Sequence, residues 1–243
     1  MTPQDILSRI IYREAGFVVV DKPFGLVSAG PPHQIHGEPA PRQSVESLLV
    51  AALQRQVWAV HQLDRMTSGL NLFALKPSFV APLAERLKTP GAKRYLAIVH
   101  GHPRAPQTID VALTMALDQA SGKLNPAVAP ASSHHDQPIR SALTHLVSST
   151  PNAGAPADFA LIEVALETGR QHQVRLHLAH IGHPLVGESM HRRPPCTLHL
   201  RHALHAFRLT LPATASMQAL DLVAPMARDL MDLAARLGVE WLS

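Results

Sequence analysis

Residues 61–75 read HQLDRMTSGLNLFAL. The first half is polar and turn-like. The second, Leu70–Leu75, is an apolar run that reads as a strand, ended by Lys76-Pro77. A carboxylate, Asp64, thus sits in a turn that feeds a buried strand, flanked by Arg65, Thr67 and Ser68. The structural alternative is an ordinary turn in which Asp64 caps the amides near Thr67.

Upstream, Phe17–Val20 is a short β-rich run that meets Asp21-Lys22-Pro23, and Pro23 and Gly25 then turn the chain. Residues 29–43, AGPPHQIHGEPAPRQ, read as a loop. Ser44 is a helix cap, with Ser47 rather than Glu or Gln three residues on, so the capping box reads as incomplete. Val45, Leu48, Leu49 and Leu53 follow at helical spacing. Downstream, Ala81–Lys88 predicts a short helix broken by Thr89-Pro90-Gly91, and Lys93–Val99 alternates with the period of a strand.

Residues 118–139 read as loop with irregular strands, and 149–157 as loop. Ser141–Ser148 and Phe159–Glu167 have strand character, and Thr168-Gly169 is a turn. In Gln173–Ile181, Val174, Leu178 and Ile181 fall on one helical face with Arg175 beside it, and His183-Pro184 stops the helix. Residues 188–198 read as loop, Leu198–Leu211 as one or two strands, and 225–238 as a closing helix. Strands and helices mix without βαβ alternation. That predicts an α+β fold with a mixed, mostly antiparallel central sheet and flanking helices.

With 243 residues, the chain fits one domain over 1–243. Its 46% hydrophobic and 16% charged residues exclude a disordered chain. A net charge of +4 permits an anionic partner without demanding one. One cysteine, Cys196, allows no intramolecular disulfide and points to a reducing compartment. No secretory signal or membrane span is legible, so a cytoplasmic protein is expected.

A second polar segment, Thr168–His177, reads TGRQHQVRLH. A glycine after a strand leads into a helix carrying Arg170, His172 and Arg175, which makes a natural anion site. A solvated basic face explains the same residues.

Taken together, the segments resemble the RluA family of pseudouridine synthases. The first motif matches residues 61–75. A second, Lys-x-Tyr-x-Ala-x-Val-x-Gly, matches Lys93, Tyr95, Ala97, Val99 and Gly101, and a third spans Gly169–His177 and continues to Gly187. VVVDKPFGL at 18–26 is similar to the family's opening, and Leu204-His205-Ala206 and Ala224-Pro225 to its closing elements. Two departures stand out. Gln62 occupies a position where the family usually has Arg, and 187–190, GESM, lacks the tyrosine common after that glycine.

The resemblance implies two lobes around a catalytic cleft, no S4-type RNA-binding domain ahead of the first motif, and an isomerase acting on uridine in structured ribosomal or transfer RNA. It needs no cofactor or metal, since bond breaking and bond making balance. Asp64 would be the catalytic carboxylate, acting on the sugar directly or by taking a proton from it. Arg175 would be its charge partner, and Tyr95 would stack on the base and serve as a candidate base at C5. Arg65, Thr67, Lys93, Arg170, His172 and Leu176 would contact RNA or line the pocket. The family suggests a monomer with no obligate protein partner.

Two rivals remain at this level. His177-x-x-His180-x-x-His183 and His199-x-x-His202-x-x-His205 have short metal-like spacings, but neither completes a hydrolase pattern. A non-catalytic RNA-binding or ribosome-assembly protein on the same fold would not require Asp64, Tyr95 and Arg175 together.

Overall fold

The computed structural model describes residues 1–30, 43–118, 122–130, 138–152 and 158–240. Most of the 29–43 loop reading, and parts of the 118–139 and 149–157 readings, lie outside the described residues. The described elements run α1 (Pro3–Leu7), β1 (Ile10–Arg13), β2 (Phe17–Lys22), α2 (Val45–Leu53), β3 (Trp58–Ala59), β4 (Ser68–Ala74), α3 (Pro77–Arg86), β5 (Lys93–His100), β6 (Gln107–Asp110), β7 (Leu113–Asp118), β8 (Lys123–Val128), β9 (Leu143–Pro151), β10 (Phe159–Leu166), α4 (Gln173–His180), β11 (Leu204–Leu211), β12 (Leu220–Val223) and α5 (Arg228–Arg236). They fall into two compact units. The first holds Met1–Lys93 and His205–Ala227, the second Arg94–Leu204 and Arg228–Ser243.

In the first unit the strand order is β1-β2-β4-β11, with β3 beside β4 and β12 beside β11. Most of these pairs are antiparallel, while β4 and β11 run parallel. The expected mixed, mostly antiparallel α+β architecture is therefore present. Both faces of β2 and β4 are covered, which explains why their sequences read as apolar runs and not as alternation. Phe17, Val19, Leu70 and Leu72 pack on one side with Leu83 of α3. Val18, Val20 and Phe73 pack on the other with Ile6 of α1 and Val45, Leu48 and Leu49 of α2.

Local chemistry corrects three readings. The Ser44 box is complete: Ser44 Oγ accepts from Ser47 N–H, and Ser47 Oγ accepts from Ser44 N–H at 2.9 Å, so a serine does the work of the usual Glu. The helix read as Ala81–Lys88 begins four residues earlier, because Pro77 is favoured in a first helical turn. Leu198–Leu211 yields one strand, which starts only at Leu204; residues 198–201 form bends.

In the second unit the order is β5-β10-β9-β6, with β9 antiparallel to both neighbours. The β7–β8 hairpin stands apart as a two-stranded sheet, its second strand within the stretch that reads as loop with irregular strands. Its Leu113 packs with Ala142 and with Leu176 of α4. No described helix is long and apolar enough to cross a membrane.

Candidate active site

The Asp64 turn is fixed by its own backbone and by β2. Thr67 N–H donates to the Asp64 carbonyl at 3.0 Å, closing the turn. Gly25 N–H donates to the Arg65 carbonyl at 2.8 Å, and Arg65 Nε returns a bond to the Gly25 carbonyl at 3.1 Å. Lys22, at the end of β2, is fully buried. Its ammonium donates to the carbonyls of Leu26 at 2.8 Å, Pro23 at 3.1 Å and Arg65 at 3.3 Å. A buried charge is tolerated here because carbonyl dipoles surround it.

Thr67 is buried just ahead of β4, which begins with the buried Ser68, and Gly69 follows at φ +108°. A Cβ on Gly69 would lie 2.2 Å from the Ala206 carbonyl oxygen of β11, so the close pairing of β4 and β11 needs glycine. Ser68 Oγ is 2.9 Å from His205 Nδ1.

His61, at the head of the turn, is locked as a neutral ring. Leu72 N–H donates to its Nε2 at 3.1 Å, and Asn71 Nδ2 donates to its carbonyl at 3.1 Å. Burial, helped by the nearby Lys93 charge, pushes its pKa down to about 3. Burial likewise lowers the pKa of Lys93 at the start of β5. Asp64 and Arg65 are both partly exposed, and Gln62 is exposed.

In the second unit, Tyr95 is 7% exposed on β5. Arg170 Nε donates to the Ser141 carbonyl at 3.1 Å. Its N–H and the Thr168 hydroxyl both donate to Gln173 Oε1. His172 starts α4 in the left-handed region, at φ +56°, with its Nδ1 2.9 Å from His191 Nε2. Leu176 is buried.

Arg175 is buried on α4 and bidentate to Glu188: Nε and Nη2 each donate to a Glu188 carboxylate oxygen at 2.8 Å. Glu188 is wholly buried, and its Oε1 also accepts from the N–H groups of Met190 at 2.8 Å and His191 at 3.2 Å. Burial alone would raise the Glu188 pKa. The Arg175 hydrogen bonds and charge, the Met190 amide and His202 outweigh it and hold the group well below the usual carboxylate range.

The first unit therefore assembles Asp64, Arg65, Thr67 and Lys93, and the second assembles Tyr95, Arg170, His172, Arg175 and Leu176. Sequence reasoning did not find Lys22, His61, His191 or Glu188. Lys22 stands in the Asp21-Lys22-Pro23 turn, His61 heads the first motif and Glu188 directly follows Gly187, so these three left a sequence trace and His191 did not. The histidine runs are spent singly: His199 bonds Asp229 at 3.1 Å and His183 bonds the His100 carbonyl at 2.9 Å. Among the described residues, no three His, Cys, Asp or Glu side chains are grouped to hold a metal.

The sequence profile described as RNA pseudouridylate synthase matches residues 16–180. The tRNA pseudouridine synthase C of Haemophilus influenzae is 27% identical over 240 residues, covering 96% of this chain and 94% of that protein. The ribosomal large subunit pseudouridine synthase D of Zymomonas mobilis is 32% identical over 249 residues, covering 94% and 72%. The tRNA pseudouridine synthase C of Pectobacterium carotovorum is 29% identical over 242 residues; this chain spans 61% of its length. Human RNA pseudouridylate synthase domain containing 4 has the same fold, with a TM-score of 0.72 at 20% identity over 97% of this chain and 95% of that one. The chain belongs to the RNA pseudouridylate synthase family.

Proposed function

We propose that the protein isomerises specific uridines to pseudouridine in transfer or ribosomal RNA. The carrying observation is that the family match, residues 16–180, contains Asp64, Tyr95 and Arg175 together, with Asp64 on a turn clamped on both sides. A binding protein would need no such clamped carboxylate.

In the reaction the N1–C1′ bond breaks, the base turns, and a C5–C1′ bond forms. The C5 proton leaves and N1 gains one, so no electron is gained or lost and no cofactor is required. Asp64 acts on the sugar, either by attack at C1′ or by taking a proton from it, and is regenerated. Arg175 supplies the positive charge that keeps Asp64 ionised in a dry pocket. Tyr95 stacks on the uracil ring and accepts the C5 proton.

The target base lies stacked in folded RNA and must be turned outward. Arg65, Thr67, Lys93, Arg170, His172 and Leu176 line the pocket or hold the backbone. With part of Arg65 and Arg170 committed to carbonyls, each presents its guanidinium in a set direction. The protein works as a cytoplasmic monomer without an obligate protein partner.

The test is expression of wild type beside Asp64→Asn in a pseudouridine-deficient host, with pseudouridine mapped in total ribosomal and transfer RNA. A new site with wild type only is expected. The same site made by Asp64→Asn would remove Asp64 from the chemistry, and RNA binding with no new site would favour the non-catalytic alternative.

A further inference from the structure

The family match ends at residue 180, yet the carboxylate that engages Arg175 lies beyond it, at Glu188. We infer that Glu188 is a positioning residue that fixes the Arg175 guanidinium for its work at Asp64, an inference that rests on the reading above. A guanidinium is a planar fork. Glu188 occupies its Nε/Nη2 edge, which sets the plane of the fork. An arginine on a helix has several rotatable bonds, so without such a lock its charge would spread over many positions.

Glu188 is itself set rigidly. Met190 and His191 amides hold Oε1, and its carbonyl accepts from Cys196 N–H at 2.9 Å. Gly187 stands at φ +77°, with space for a Cβ closed by the Arg201 carbonyl oxygen at 2.0 Å. Arg201 is in turn held by Asp229 of α5, at 2.8 and 3.1 Å. The backbone beside the lock thus packs against Arg201, whose buried side chain is tied to the C-terminal helix. The Met190 departure changes a side chain, whereas the group used is the Met190 amide, so the lock survives it.

Glu188 has no exposed surface with which to touch RNA. Its loss should therefore lower kcat while leaving RNA affinity alone. The experiment compares wild type, Asp64→Asn, Glu188→Gln, Glu188→Asp, Arg175→Gln and the Arg175→Gln/Glu188→Gln double variant. Single-turnover rate, RNA Kd and melting temperature are measured for each on a mapped substrate RNA.

In Glu188→Gln, the rate should fall about a hundredfold, the scale of misplacing a catalytic group by about 1 Å, with Kd within about twofold. Glu188→Asp should recover part of the rate, and it remains the readable variant if Glu188→Gln does not fold. The double variant should be no slower than Arg175→Gln alone, because a residue acting only through Arg175 has nothing left to act on. A Glu188→Gln enzyme within about threefold of wild type, or losses that multiply in the double variant, would overturn the inference while the activity stands. An inactive wild type, or an active Asp64→Asn, would instead strike the underlying reading.

Discussion

The Asp64 turn and the Arg175 helix are both held rigidly, but by different forces. Around Asp64 the fixing groups are backbone: the reciprocal Gly25–Arg65 bonds, carbonyls gathered on Lys22, and a glycine pressed against β11. Around Arg175 an opposite charge, Glu188, does the fixing in a buried bidentate pair. The first region should tolerate changes of charge better than changes of shape, and the second the reverse.

The largest effect should come from shape in the first region. Gly69→Ala adds a Cβ 2.2 Å from a backbone oxygen that cannot swing away, at φ +108°. The strain should exceed about 4 kcal/mol, at the extreme of single substitutions. Chemical denaturation should show little or no folded protein. A variant with near-normal stability would mean that β4 and β11 can separate cheaply.

Charge in the second region comes next. Arg175→Ala leaves the Glu188 carboxylate buried without its partner, at a cost of about 3–5 kcal/mol. The pH dependence should also change sign. In the wild type the Glu188 pKa is depressed, so its contribution is present above the unfolded value of about 4.3 and is lost as pH falls through the lower folded value. In Arg175→Ala, burial dominates and raises that pKa, so the variant should regain stability as pH falls towards 4. Stability curves at several pH values decide this, and parallel curves would show that the pair is not the main charge term there.

How much of this was legible follows the same division. The apolar runs of β2 and β4, the cap at Ser44 and the helix over Gln173–His180 are local patterns, and sequence carries them. Gly69 and Asp64 stand inside a motif and could be singled out. The partner of Arg175 could not, because thirteen residues and a loop separate it from Glu188, and helical periodicity does not report across a loop. The β7–β8 hairpin was only partly legible for a different reason: Pro126 and the exposed Leu117 and Leu124 deny it a regular buried alternating face. Lys22 reads as a turn lysine, since nothing in sequence says that three carbonyls will converge on it.

Lys22 gives the next smaller effect and sharpens the contrast. Lys22→Met keeps the stem and removes the ammonium, leaving the Leu26 and Pro23 carbonyls without this donor. A loss of about 2–4 kcal/mol is expected, with a further drop in kcat as the Arg65 carbonyl loses the Lys22 donor and keeps the Gly25 N–H. A stable but slow enzyme would assign Lys22 mainly to holding the turn. A stable enzyme with normal rate would mean that the Gly25 bonds suffice.

The smallest effect belongs to His61, the titrating group in the backbone-held region. Its folded pKa of about 3 lies below the free value near 6.5, because burial disfavours the charged ring and the nearby Lys93 charge adds to this, while Nε2 accepts from Leu72 N–H. The unfolded chain therefore binds a proton that the folded chain refuses. Stability should be unaffected above about pH 6.5 and should fall as pH drops below it, by about 1–2 kcal/mol between pH 7 and 5. His61→Gln keeps an acceptor for the Leu72 amide and cannot titrate, so its stability should lack this acid-side slope. If wild type and His61→Gln lose stability in parallel between pH 7 and 5, the imidazole is accepting its proton in the folded state, and the hydrogen bond to β4 is not what fixes the head of the Asp64 turn.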